Sequence, residues 1–286
     1  MQVRVINSMR RDCEFVKRVL LWVFAVAALS GSLLRAQGPP SPPKMMAVDA
    51  DPSFEVATIK PHDPELTGQG INIKGRNFSI HNISVNGLIR YAYQVNGKQI
   101  IGGPEWLDKD KYDIAAVPDG EDIPSGKQWR RMLQKLIEER FQLKFHHDKR
   151  ELSAYVLSVG KDGPKNLTKS VSTSVLPNFG FMPAPGGVTS FATNTTMAEY
   201  AQMLQEGMFD RPVLDQTGIS GRYDLKFTFM PDDSLFEGRG PPATASDNPA
   251  PSFFTAIQEQ LGLKLEAMKA PADVMVIDHV EKPSEN

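Results

Sequence analysis

A chain of 286 residues, 41% of them apolar, can build one large core or two small ones. A net charge of −2 offers no global basic field to nucleic acid. The one cysteine, Cys13, lies in the N-terminal segment, which excludes a disulfide scaffold, a cysteine nucleophile, thiolate metal sites and a lipoprotein anchor after an apolar run.

Residues 1–36 read as a secretory signal peptide. Arg10, Arg11, Lys17 and Arg18 make a basic start, Val19 to Leu29 a short apolar run, and Leu34-Arg35-Ala36 a cleavage site. The apolar run is short of the roughly 20 residues a membrane span needs. An uncleaved anchor is the alternative, and Met9 is an alternative start. The mature chain then has no transmembrane segment, and the protein is exported to the periplasm or beyond.

Residues 37–52 form a linker in which Pro39, Pro40, Pro42 and Pro43 favour extended geometry, so the folded part begins at Ser53. Phe54 to Ile59 is a strand, and the glycine-rich Leu66 to Gly75 a loop. Asn77 to His81 is a strand, with Asn82 or Ser84 capping a helix on which Val85, Leu88, Ile89, Ala92 and Tyr93 share a face. Gln99 to Ile101, a Gly102-Gly103-Pro104 turn and a strand from Tyr112 follow. Trp129, Met132, Leu133, Leu136 and Ile137 stripe a second helix. Its charges Arg130, Arg131, Glu138, Glu139 and Arg140 read as a solvated face. Leu143 to His147 and Ala154 to Val159 read as paired strands.

Prolines and glycines make 161–187 an irregular connection. The order then repeats: a strand from Val188 to Ala192, a cap at Asn194 or Thr195, and a helical stripe through Met197, Tyr200, Ala201 and Leu204. Arg211 to Asp215 is a strand, turned by Gly218 and Gly221 into a strand where Tyr223, Leu225, Phe227 and Phe229 alternate with polar residues. Pro231 to Pro251 is a loop. A last helix carries Phe253, Phe254, Ile257 and Leu261, and Leu263 to Ala267 and Val274 to Val280 close the chain as strands. Tyr112-Asp113-Ile114 and Tyr223-Asp224-Leu225 match type for type. The expected fold is α+β: two similar units, 53–160 and 188–286, each a small antiparallel sheet packed by two helices, related by internal duplication.

Several stretches together carry a resemblance. They are Phe54 to Pro61, Gly102-Gly103-Pro104-Glu105-Trp106-Leu107, Asp215 to Asp224, and Val276 to Pro283. The chain resembles a family of secreted proteins abundant in Acidobacteria, labelled soil-associated and without an assigned function. Related modules are sometimes fused to membrane metallopeptidases of the antibiotic-sensor type. That resemblance implies an extracytoplasmic sensing or interaction module and supplies no catalytic residues.

The residues themselves argue the same way. Asp215-Gln216-Thr217-Gly218 departs from the aspartic-protease Asp-Thr-Gly by Gln216 and lacks a second copy. The P-type ATPase motif needs a lysine where Gln216 stands. A strand-ending Asp215 that accepts backbone N–H bonds in the turn is the plainer reading. His146 and His147 are adjacent on a strand and point to opposite faces, while His62, His81 and His279 stand alone, so no metal site is expected. No cofactor motif occurs. Trp106 is read as a core-capping residue, with a stacking surface as the alternative. Binding candidates are Trp106, Asp215, Arg222 and Asp224. The favoured function is a non-catalytic binding or interaction module for an extracytoplasmic protein or small ligand. The alternative is a secreted hydrolase, marked by a pocket gathering Asp215, Asp224 and a histidine.

Overall fold

The structure, a computed structural model, describes residues 44–172, 177–238 and 240–283. The expected signal peptide and the first part of the linker lie outside them. The fold is α+β, with three four-stranded sheets, antiparallel or mixed, and few helices.

The first sheet has the order β1 (Phe54–Pro61), β5 (Lys111–Pro118), β3 (Asn77–Ser84), β2 (Gly70–Lys74), all antiparallel. β2 falls in the stretch read as a loop. Its residues are all exposed, so an edge strand left no buried alternation to read. Helices α1 (Val85–Tyr93) and α3 (Gly126–Arg140) cover one face of the sheet. Ser84, not Asn82, caps α1, while Asn82 takes a left-handed backbone (φ 54°) where the pairing shifts register. Between β4 (Ile100–Ile101) and β5 stands the short helix α2 (Trp106–Lys109). The core beneath centres on Trp129, 2% exposed, stacked on Phe78 at 5.2 Å and close to Phe54 at 6.0 Å. Residues 45–52, expected as linker, lie along α3. Gln128 donates to the carbonyls of Ala47 (2.7 Å) and Ala50 (3.2 Å), and Lys135 meets the Asp51 carboxylate at 2.9 Å. Their backbone carbonyls found donors that proline content did not reveal.

The second sheet has the order β7 (Thr168–Lys169), β11 (Tyr223–Phe229), β9 (Gly187–Thr195), β8 (Asn178–Ala184), again antiparallel. β7 and β8 both lie in the stretch read as irregular. Pro183 sits on an edge strand, where its missing N–H costs no ladder bond. Helices α4 (Met197–Gly207) and α5 (Phe253–Leu261) pack on it. The cap of α4 is Thr196, in a capping box with Glu199, rather than Asn194 or Thr195. Asn194 instead turns the strand with φ 53°. Phe209, Phe227, Phe229 and Phe253 form the middle of this core.

The third sheet has the order β10 (Val213–Asp215), β6 (Lys144–Val159), β12 (Leu263–His279), β4. The two stretches read as a hairpin, 143–147 and 154–159, are one strand, and so are the last two. β6 and β12 pair with each other, from Lys144 opposite His279 to Val159 opposite Leu263. The polar run at 148–151 and Pro271, which fall between those expected strands, lie in the ribbon where both are exposed, so they need no burial. The outer strands are added alike: β4 lies parallel to β12 with Ile100 opposite Met275, and β10 parallel to β6 with Val213 opposite Tyr155.

Candidate functional site

The first two sheets differ most at one edge. Beside β5, all eight residues of β1 run from Pro61 opposite Tyr112 to Phe54 opposite Pro118. Beside β11, β7 covers only Tyr223 and Asp224. The chain before Thr168 turns away: Asn166 has φ 49°, and the Lys165 N–H donates to the carbonyl of Leu261 at 2.7 Å. Further along, the Gln260 side chain of α5 imitates a strand. Its Oε1 accepts from the Thr228 N–H at 3.1 Å, and its Nε2 donates to the Thr228 carbonyl at 2.8 Å.

Between β7 and Gln260 lies a cavity of about 480 Å³ lined by Asn166, Thr168, Phe191, Thr193, Asp224, Lys226 and Gln260, with the backbone of Ala192 and Leu225 beneath. Strand alternation explains its chemistry. Leu225 and Phe227 point into the core, so Asp224 and Lys226 stand on the outer face with Phe191 and Thr193 of β9. Asp224 Oδ1 accepts from the Asn194 N–H at 2.8 Å. Lys226 is exposed and forms no ion pair among the described residues. The wall thus offers one carboxylate, one ammonium, hydroxyls and an aromatic ring.

Of the expected site residues, Asp224 alone lines this cavity. Arg222 makes a two-pronged pair with Glu199 (2.9 and 3.0 Å) and also donates to the Asn194 carbonyl, which ties the start of α4 to β9. Beside Arg222, the Thr196 N–H helps hold the Glu199 carboxyl below its usual range, against burial, which raises it. Asp215 ends β10, and its Oδ1 accepts from the N–H (2.9 Å) and hydroxyl (2.8 Å) of Thr217. Gly218 and Gly221 hold φ of 66° and 104° in the same turn. Trp106 is half-buried against the first core, with the Lys282 ammonium 5.7 Å above its ring. The fully buried tryptophan is Trp129. The cavity contains neither Asp215 nor any histidine.

The histidines are less isolated than their spacing implies. His62 Nδ1 lies 2.8 Å from Asp113 Oδ1, and His81 Nδ1 lies 3.9 Å from the same atom. Burial raises the Asp113 carboxyl, but the Asn82 N–H and the two imidazoles bring it below the usual range. His146 pairs with Asp278 at 2.8 Å on the surface. Among the described residues, no group of three or more His, Cys, Asp or Glu is placed to hold a metal.

The sequence signal for Lys226 was its place on the polar side of an alternating strand. Phe191 had the same signal on β9. Gln260 had none, because its role depends on a strand that stops short.

A protein-family model described as "Protein of unknown function (DUF3738)" matches residues 86–280, more than half of the chain. The chain belongs to this family. The match begins in α1 and ends just past β12, so it takes in the second core and the ribbon and leaves out β1, β2 and β3 of the first sheet. Comparisons with curated proteins and with solved structures return no match. Among the described residues, no helix is long and apolar enough to cross a membrane.

Proposed function

We propose that this DUF3738 protein is an exported, non-catalytic binding module that uses the cavity beside β11 as its ligand site. The observation that carries the reading is the uneven closure of two like-ordered sheets. One edge is sealed by β1, and the other is held open by a two-residue strand and a glutamine amide. The opening is of ligand size and has a few polar groups around an aromatic floor.

Export is argued from the basic and short apolar N-terminal segment. Duplication of an ancestral unit is argued from the matching strand orders and the paired turns at Asn82 and Asn194. In both turns the strand-start aspartate, Asp113 or Asp224, accepts the asparagine N–H. The alike placement of β4 and β10 adds to it.

The test fills the cavity. Thr193 is exposed on the outer face, so Thr193→Trp should leave stability within about 0.5 kcal/mol. Thermal melts are run with tripeptides, oligosaccharides, organic acids and fatty acids. The expected result is that one class stabilises the native protein and fails to stabilise the variant. No stabilisation by any class, or stabilisation untouched by the filled cavity, would overturn the reading.

A further inference from the structure

We infer that the cavity beside β11 takes a short peptide in extended conformation, whose main-chain amide completes the sheet edge at Lys226 and whose carboxylate meets the Lys226 ammonium. The inference deepens the binding-module reading and rests on it.

The first argument is the hydrogen-bond ledger of the edge. The Arg222 carbonyl accepts from the Ser170 N–H at 3.0 Å, and both backbone groups of Thr228 are held by Gln260. In an antiparallel strand, alternate residues direct N–H and C=O to the same side. Lys226 stands midway between Asp224, opposite Thr168 of β7, and Thr228, so its N–H and C=O face this edge. No described group bonds them there. The gap is one peptide unit long, and backbone donors and acceptors in a half-covered position favour a partner.

The second argument comes from the other half of the molecule. Ala115 holds the place in β5 that Lys226 holds in β11, two residues beyond the asparagine-bonded aspartate. Opposite Ala115 stands Thr58 of β1. The His62 N–H donates to the Lys111 carbonyl at 2.9 Å, just as Ser170 donates to Arg222. The substance that fills this position in the first sheet is therefore extended polypeptide. Adding a strand residue to an open edge is an established way for a sheet to bind a peptide.

The third argument is charge and shape. Ala115 is replaced here by a lysine with no ion pair, which suits a carboxylate. Asp224 keeps one oxygen on Asn194 and presents its carboxylate to the cavity wall, which suits a peptide ammonium. Phe191 supplies a flat apolar floor. Gln260 and Thr168 close the two ends of the gap, which favours a short peptide over a long strand. A sugar could lie on Phe191, but it would leave the Lys226 backbone unpaired.

The experiment is amide hydrogen exchange on the full chain with trialanine, its Leu-centred and Phe-centred analogues, the C-terminally amidated forms of each, and maltotriose. The expected result is slowed exchange of the Lys226 amide with at least one free-acid peptide. Its amidated form should bind about tenfold more weakly. Lys226→Met should erase that tenfold difference while leaving slowed exchange at residue 226. Unchanged exchange at residue 226 with every peptide at about 10 mM would overturn the inference. Equal protection by maltotriose would also overturn it. Should another ligand class stabilise the protein in a way that Thr193→Trp blocks, the cavity remains a binding site and the peptide assignment alone falls. Should nothing bind, both fall together.

Discussion

The two outer sheets have the same order and opposite fates at one edge. Beside β5, eight residues of β1 hide the backbone and bring Phe54 and Ile59 to the first core. Beside β11, two residues of β7 stop at Asp224, and the wall of a cavity begins. The difference teaches that a sheet edge becomes core or site according to what chain is available to cover it. An uncovered edge is also a hazard, because it invites pairing with other strands. Here the hazard is limited by the Gln260 amide and by an exposed lysine.

The largest test of the contrast is to loosen the closed edge. Trp129 stacks on Phe78 and touches Phe54 of β1, so Trp129→Ala should cost about 3–5 kcal/mol out of a typical total of roughly 5–15. Chemical denaturation measures the loss, and amide exchange along β5 should rise toward that of β11. The half-buried Trp106 should lose less, about 1–2 kcal/mol on truncation. Equal losses at the two tryptophans would undo this ranking.

The open half can be strained in turn. Gly262 ends α5 with φ 64°, and a Cβ there would run into the Gly163 carbonyl oxygen. Gly262→Ala should cost about 2–4 kcal/mol, from the left-handed backbone plus overpacking. It should also disturb the 160–167 loop that frames the cavity, so ligand stabilisation should fall along with the melting temperature. A melting temperature equal to that of the native protein would remove this account of the loop.

The smallest effect belongs to the closed half, at Asp113. Asp113 is held below the ordinary value of 3.8 by Asn82, His62 and His81 in spite of burial. A depressed carboxyl contributes stability above its unfolded pKa and loses it as the pH falls through the folded value. Asp113→Asn should therefore destabilise by about 1 kcal/mol near pH 6, with the difference from the native protein shrinking below about pH 4. Urea denaturation at pH 6 and pH 3 reads the variant. A constant difference for Asp113→Asn would mean that its partners act only through geometry.

The helices were the most legible part of the fold in the sequence. Their apolar stripes and hydroxyl caps are local signals, and Ser84 and the stripe on α3 both carried through. The caps at Asn82 and Asn194 were misplaced by two residues because asparagine also suits a left-handed bulge, which is where both stand. The ribbon was not legible. Which strand β6 pairs with depends on a partner far along the chain, and residues 148–151 look like a turn until β12 lies beside them. The cavity was legible in one residue, Asp224. Its remaining walls owe their role to the shortness of β7, and a missing strand leaves no mark on the residues that remain.

The ribbon also sets a timetable. β6 is complete at Val159, yet its partner begins at Leu263, roughly a hundred residues later. As the chain emerges from its N-terminus, the first core still lacks Met275 of β12, and β4 and β6 wait for the same strand. Through that interval β6 presents an unpaired edge, a surface on which neighbouring nascent chains can mispair. The charged run Asp148, Lys149, Arg150 and Glu151 then has a second use: as gatekeepers, these residues keep the waiting strand soluble until the last segment arrives.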